Sequence, residues 1–395
     1  MTMHDVVIVS AARTPIASFQ GALSDFSAPR LGAIAIAGAL SRAGIEGSDV
    51  DEVIMGNVLS GGLGQAPARQ AAIYGGLPDS VPCLTINKVC GSGMKAIMLA
   101  AQSIALGDST IVVAGGMESM TNAPYVLDKA RAGYRMGNGV LVDTMINDGL
   151  WDPYNNCHMG NCGDSTAAEL GYSRERLDEF AAESFARAKS AQAAGRFAEE
   201  IVSVSIPQRK GDPLSFESDE QPAKGGDLAK LATLRPAFSK DGVTTAGNAS
   251  SINDGAGALV LMSAEEAAKR GLKPLGRIAG YATHAQEPTK FTTAPAEAIN
   301  KLVAKAGIAL ANVDLFEINE AFAVVALGCA EKVGIPLEKL NVNGGAVALG
   351  HPIGMTGARL VMTSLLELRR RGGKYAISTP CIGGGEATAV LVEAL

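Results

Sequence analysis

Three side chains of this sequence have the types and settings that nucleophilic catalysis needs. Cys90 stands in Asn87-Lys-Val-Cys-Gly-Ser-Gly, before a glycine-rich turn and the start of an apolar helix. The glycines let a substrate approach the backbone. A helix N-terminus there is expected to favour the thiolate and lower the thiol pKa from its usual ~8.5. His351 stands in Gly350-His-Pro-Ile-Gly, a turn expected to join an apolar strand to a helix. A base at that point could take the Cys90 proton. The chain has four histidines; His4 is terminal and His284 lies in a polar stretch, which narrows the choice. Cys381, in Thr379-Pro-Cys-Ile-Gly-Gly-Gly, follows a strand and opens a glycine run. It offers a second thiol able to move protons. Asn319 sits at a strand-to-helix junction, where it either caps the helix or positions a water or a substrate oxygen.

These groups need elements to hold them. Val6–Val9, Val53–Met55, Ile111–Val113 and Gly257–Met262 read as strands, and 31–42 and 93–106 as helices rich in small residues. The alternation predicts an α/β fold with a largely buried sheet. Residues 122–251 differ: they hold the single Trp and more Pro and charge, and read as an inserted loop domain forming a lid. Within it, Ser173 is expected to cap a charged helix running to about Ala194. A weak internal repeat follows the order turn, helix, strand, glycine turn. It runs from Cys90 to Gly116 and again from Gly350 through 356–369 and 375–379 to Cys381. Two such halves would bring Cys90, His351 and Cys381 to one face. The expected units are 1–121 plus 252–272, the insertion 122–251, and 273–395.

Bulk properties set bounds. The chain of 395 residues carries 47% apolar and 19% charged residues, as ordinary globular proteins do. A net charge of −6 argues against broad nucleic-acid binding. Six cysteines without metal-ligand spacing read as free thiols in a reducing compartment. The Cys157 to Cys162 interval fits no common zinc motif, so no metal is expected. No presequence and no apolar run of the ~18 residues that span a bilayer are apparent, and residence in the cytoplasm is expected.

Five segments carry a resemblance in order and spacing: 87–93, Gly115-Gly-Met-Glu-Ser-Met at 115–120, Asn319-Glu-Ala-Phe-Ala at 319–323, 341–354 and Cys381-Ile-Gly-Gly-Gly at 381–385. Together they resemble the thiolase family, end to end. The resemblance implies a layered α/β/α/β/α core of two similar halves and a homotetramer, a dimer of dimers. It implies Cys90 as the acyl-accepting nucleophile and His351 as its base and a donor to the thioester oxygen. Asn319 would hold a water beside His351, and Cys381 would act as the acid/base on the α-proton of a second acetyl group. The backbone N–H groups of Cys90 and Gly383 would form an oxyanion hole, such donors being worth ~3–4 kcal/mol each. Cys157-His158-Met159-Gly160 resembles the His-Met-Gly of short-chain members, placing His158 and Met159 at the pantetheine and acyl end of the pocket. The resemblance adds Ser250 as a pantetheine contact and Leu150, Ala321 and Phe322 as further substrate contacts. Lys224 is the nearest basic candidate for the nucleotide phosphates, with Lys230 and Arg235 close in sequence.

The implied activity is reversible Claisen condensation of two acetyl-CoA to acetoacetyl-CoA, or thiolysis of short-chain 3-ketoacyl-CoA. Coenzyme A and acetyl-CoA then enter as substrates, with no prosthetic group. Alternatives are a 3-ketoacyl-CoA thiolase of broader chain length, a ketoacyl synthase using a carrier protein, a non-catalytic acyl-CoA binder and a Cys-His hydrolase. Cys381 argues against the last, and the presence of all three reactive residues against the binder. Two departures from the family pattern stand out, Asn161-Cys-Gly-Asp and Glu386.

Overall fold

The computed structural model describes residues 4–395. The first half lays down β1 (Val6–Arg13), α1 (Ala28–Ala43), β2 (Glu52–Gly56), β3 (Cys83–Ile86), α2 (Ser92–Leu106) and β4 (Ile111–Ser119). The insertion carries α3 (Met159–Leu170) and α4 (Arg174–Ala193). Ser173 caps α4, its hydroxyl accepting from the Arg176 N–H as the sequence suggested. The chain then returns as β5 (Asn253–Ser263). The second half comprises β6 (Gly276–Ala285), α5 (Ala294–Ala306), β7 (Leu315–Ile318), α6 (Ala323–Val333), α7 (Thr356–Arg371), β8 (Tyr375–Thr379) and β9 (Glu386–Ala394).

Hydrogen bonding joins the strands in the order β7-β8-β9-β6-β1-β5-β4-β2-β3. The pairing is symmetric about the β6–β1 junction. In the first half β2 runs parallel to β4, and β4 antiparallel to β5, which is antiparallel to β1. In the second half β7 is parallel to β8, and β8 antiparallel to β9, which is antiparallel to β6. The internal repeat is therefore a repeat of topology. The junction rests on two residue pairs, Val7↔Arg277 and Ile8↔Gly276. The sheet folds across it, so that α2 and α7 lie between the two halves, packing on each other and on strands of both. Helix α1 covers the outer face of one half and α5 that of the other. The result is α/β/α/β/α layering.

Burial explains the strand sequences. Every residue of β4 and of β5 is buried, so residues 111–117 and 255–262 read as continuous apolar and small runs rather than alternating ones. The central helices approach closely because glycine permits it. A Cβ on Gly357 of α7 would lie 2.5 Å from the Met94 backbone nitrogen of α2. One on Gly116 would lie 2.0 Å from the Gly354 carbonyl oxygen. The glycines thus lock the loop bearing His351 against β4.

Contrary to expectation, one window, Val89–Leu106, is long and apolar enough by composition to cross a bilayer. Its apolarity has another cause: α2 is a central-layer helix, with Met94, Ala96, Ile97 and Ile104 in the core between the sheets.

Candidate active site

The two turns equivalent in the repeat, before α2 and before α7, meet at one cavity of about 470 Å³. Cys90, His351 and Gly383 all open onto it. Cys90 follows Val89, whose φ of 44° is an outlying conformation for a β-branched residue. The turn is held by its neighbours. The Asn87 carboxamide oxygen accepts from the Val89 N–H at 2.9 Å, and the Ser92 hydroxyl donates to the Val89 carbonyl at 2.7 Å. Such strain beside a nucleophile presents the sulfur rigidly to the cavity.

The thiol is not a resting thiolate, as the helix-terminus argument had suggested. Burial pushes Cys90 up to about 11, against the opposing pull of the Gly383 N–H and its own N–H, with Glu118 adding to the rise. Desolvation outweighs the helix dipole here because the sulfur, though partly open to the cavity, sits deep in an apolar wall. The same two N–H groups, Gly383 and Cys90, face the sulfur, as an oxyanion hole for an acyl group on it requires.

His351 is buried, and burial followed by the Arg359 charge pushes it down to about 3. It is therefore a neutral imidazole, and its neighbours fix the tautomer. The Thr356 hydroxyl donates to the Pro352 carbonyl at 2.8 Å, so its oxygen accepts from the His351 Nδ1–H at 2.7 Å. Nε2 then carries the lone pair, which accepts a long hydrogen bond from the Asn319 carboxamide nitrogen at 3.4 Å. The His351 backbone N–H donates to Asn253 at 2.9 Å. No strand leads directly into this turn: Asn341 adopts φ 43° and Ala346–Leu349 forms one helical turn. The run of glycines around 344–345 favours that tight path over the extended one expected.

Asn319 does not cap the following helix, whose N-cap is Phe322. It is fully buried, its N–H donating to the Thr379 carbonyl at 3.0 Å, and its Oδ1 has no partner among the described residues. A free buried acceptor beside an imidazole suits a water site. Cys381 is also fully buried, behind the cavity wall. Burial, then the neighbouring Cys90 and Cys329, pushes its thiol well above the usual range.

The apolar walls come from the insertion and the second half. His158 stacks on Phe238 at 4.6 Å between ring centroids, and Phe238 meets Phe322 edge-on at 6.0 Å. Leu150, Met159, Ser250 and Ala321 also line the cavity. The Ser250 hydroxyl donates to the Ala321 carbonyl at 3.0 Å. Lys224 does not line it. Its ammonium donates to the Ser18 hydroxyl at 2.7 Å, and it borders an adjoining cleft with Lys189 and Lys230 that shares Gln221 and Ala246 with the cavity. Arg235 borders neither.

The departing residues have local structural work. The Asn161 side chain accepts from the His158 N–H at 3.1 Å, completing a capping box at the start of α3. Asp164 accepts from the Val243 and Thr244 N–H groups at 3.1 and 2.8 Å, pinning the loop after Phe238. Glu386 pairs with Lys88, joining the Cys90 turn to the Gly383 loop.

Sequence reasoning missed Thr356 and Glu118. Thr356 lies five residues after His351, at the first position of α7. The Glu118 carboxylate accepts from the backbone N–H groups of Val58, Leu59 and Gly354 at 3.0, 3.1 and 2.9 Å, and from Asn57 at 2.8 Å. It ties the His351 loop to the first half. Its motif was visible in the sequence, but its contacts are long-range.

Comparison with known proteins agrees with this geometry. Residues 6–265 match the family model "Thiolase, N-terminal domain" and 272–394 match "Thiolase, C-terminal domain". Acetyl-CoA acetyltransferase 2 of Arabidopsis thaliana is 54% identical over 393 residues, 99% of this chain and 98% of that protein. Acetyl-CoA acetyltransferase of Cupriavidus necator is 53% identical over 391 residues, 99% of this chain and 100% of that protein. The crystal structure of Bacillus anthracis acetyl-CoA acetyltransferase superposes with a TM-score of 0.97 at 43% identity, covering 100% of both chains. Family models spanning nearly all of the sequence, relatives alike from end to end, and a matching fold lead to one conclusion: this chain belongs to the thiolase family.

Proposed function

We propose that this protein is an acyltransferase that interconverts two acetyl-CoA with acetoacetyl-CoA and coenzyme A through an acyl-Cys90 intermediate. The observation that carries the reading is the convergence of Cys90, the Gly383 N–H and a His351 whose Nε2 is the unprotonated nitrogen on one cavity, with Cys381 buried beside them.

Neutral thiol and neutral imidazole mean that the proton moves as the bond forms. Cys90 attacks the acetyl carbon while Nε2 of His351 takes its proton, and the oxyanion forms against the Cys90 and Gly383 N–H groups. Coenzyme A leaves with a proton from Cys381. The Cys381 thiolate left behind is a strong base, because its buried thiol has a high pKa. It takes the α-proton of a second acetyl-CoA, whose enolate oxygen is held by His351 and an Asn319-bound water. The carbanion attacks acetyl-Cys90, and the departing Cys90 sulfur recovers its proton from His351. Each group ends as it began. Thiolysis runs the same steps in reverse.

Met159 supports a short acyl chain: a Cβ placed on Gly383 would lie 3.4 Å from its sulfur, so the thioether closes the space over the oxyanion site. The adjoining cleft with Lys189, Lys224 and Lys230 has the charge to meet nucleotide phosphates. A homotetramer belongs to the same reading. Exposed apolar side chains at Tyr125, Met136, Val140 and Leu141 support burial against another copy. So does a place in cytoplasmic lipid metabolism, to which six unpaired cysteines are suited.

The test is thiolysis of a chain-length series of 3-ketoacyl-CoA. The proposal expects kcat/KM to peak at acetoacetyl-CoA. A peak at medium or long chains would replace it with a broad 3-ketoacyl-CoA thiolase.

A further inference from the structure

The residues that bracket His158 and Met159 are both cysteines, and their sulfurs touch. Cys157 pairs with Asp152 in a short hairpin, and His158 then caps α3. Cys162 lies on the first turn of α3, four positions after the cap, where a side chain packs back on the residue preceding the cap. The two Sγ atoms are 3.9 Å apart. Their exposure differs: Cys157 is half-buried and reachable, while Cys162 is buried beneath it. That is the arrangement of an attacking thiol and a resolving thiol.

We propose that Cys157 and Cys162 form a thiol–disulfide exchange site for low-molecular-weight disulfides of the glutathione class, closing to a Cys157–Cys162 bridge. The Cys157 thiolate attacks one sulfur of the oxidised small disulfide, forming a mixed disulfide and releasing one small thiolate. Cys162 then attacks the Cys157 sulfur, its proton going with the second small thiol as it leaves. Two protein thiols are oxidised and one small disulfide is reduced to two thiols. Burial holds Cys162 protonated, at about 12 with the nearby Cys157 contributing, so it reacts as the second partner rather than the first.

Asp152 is the third member of the cluster, its carboxylate within 4.8 Å of both sulfurs. Both of its oxygens are already engaged by its own turn. One accepts from the Tyr154 and Asn155 N–H groups at 2.8 and 3.2 Å, the other from the Asn155 carboxamide at 3.0 Å. This favours a thiol pair over a three-ligand metal site.

The bridge would reach into the cavity. A disulfide needs the sulfurs to close to about 2.05 Å, so the turn between them must tighten. That turn carries the His158 ring, which accepts from the Gly160 N–H at 3.1 Å and stacks on Phe238, and it carries Met159. Substrate affinity should therefore change. This consequence rests on the acyl-CoA reading of the cavity; bridge formation does not.

The experiment treats native protein with oxidised glutathione, blocks remaining thiols with iodoacetamide and maps the peptides. A Cys157–Cys162 bridge reversed by dithiothreitol is expected. Cys162→Ser should stop with one glutathione on Cys157, and Cys157→Ser should leave Cys162 unmodified until the protein is denatured. Alkylation of both thiols in the wild type, a persistent mixed disulfide on Cys157, a bridge confined to Cys90 and Cys381, or thiols that react only after chelation of a bound metal would each overturn the proposal. In protein shown to be bridged, the KM for acetyl-CoA should rise severalfold. Oxidation of Cys90 alone would lower kcat and leave KM in place. A KM that stays put in bridged protein would refute the coupling to the cavity while leaving the exchange site standing.

Discussion

Replacing Thr356 by Val tests how Nε2 of His351 is kept unprotonated. Val keeps the shape and removes the hydroxyl that accepts from His351 Nδ1 at 2.7 Å and donates to Pro352 at 2.8 Å. His351 is 5% exposed, so water cannot readily replace the lost partner. An unpaired buried donor costs about 1–3 kcal/mol. The ring can escape that cost by moving its proton to Nε2, the atom that must accept from Cys90. If the lost preference is passed to the proton-transfer step, the acylation rate falls about 5- to 160-fold at 1.36 kcal/mol per decade. Single-turnover acylation by acetyl-CoA, followed by quenched intact mass, measures it. KM should change little, because Thr356 does not line the cavity, and Thr356→Ser should restore most of the rate. A T356V enzyme acylated within about twofold of the wild type would refute the tautomer argument.

Four further outcomes follow from the same geometry. Cys90 sits at about 11 and His351 at about 3, so iodoacetamide labelling of Cys90 should climb steadily from pH 6 to 9, with no plateau signalling a low-pKa thiolate. The depressed His351 also sets the sign of a stability effect. The unfolded chain takes up a proton near the ordinary pKa of 6.5 that the native state refuses until about 3, so this group's contribution is present above 6.5 and lost as pH falls through that window, measurable by denaturant titration. Glu118→Gln turns an amide NH2 toward N–H donors that now meet carboxylate oxygens; it should cost about 1–3 kcal/mol in unfolding free energy and slow acylation, because the Gly354 tether is lost. Gly357→Ala places a methyl 2.5 Å from the Met94 backbone nitrogen; with no flexible side chain to give way, the unfolding midpoint in a thermal melt should drop by an amount equivalent to about 1–3 kcal/mol.

Much of this was legible because burial writes itself into sequence. Strands buried on both faces, such as β5, carry an unbroken run of small and apolar residues from Gly255 to Met262, and the Cys90 and Gly350 turns each precede a helix of the central layer. The convergence of three reactive side chains followed from reading the repeat as two equivalent halves. What sequence did not carry were the terms that depend on long-range neighbours. The helix-terminus argument for Cys90 pointed down, and desolvation by distant segments reversed it. Asn319 looked equally like a cap; only the Thr379 carbonyl and the His351 ring show that it is not one. Sequence also did not show that Lys224 would border a cleft adjoining the cavity, with its ammonium donating to the Ser18 hydroxyl. The roles of Thr356, which sets the tautomer, and of Glu118, which accepts from four donors, were not legible because they depend on which distant atoms lie nearby.

The central claim is covalent transfer through Cys90. Intact mass after mixing the protein with acetyl-CoA tests it directly, with Cys90→Ala and Cys381→Ser alongside. The account predicts one acetyl group on the wild type and on Cys381→Ser, none on Cys90→Ala, and condensation to acetoacetyl-CoA by the wild type alone. An acetyl group on Cys90→Ala, or none on the wild type while acetyl-CoA binding is retained, would contradict it.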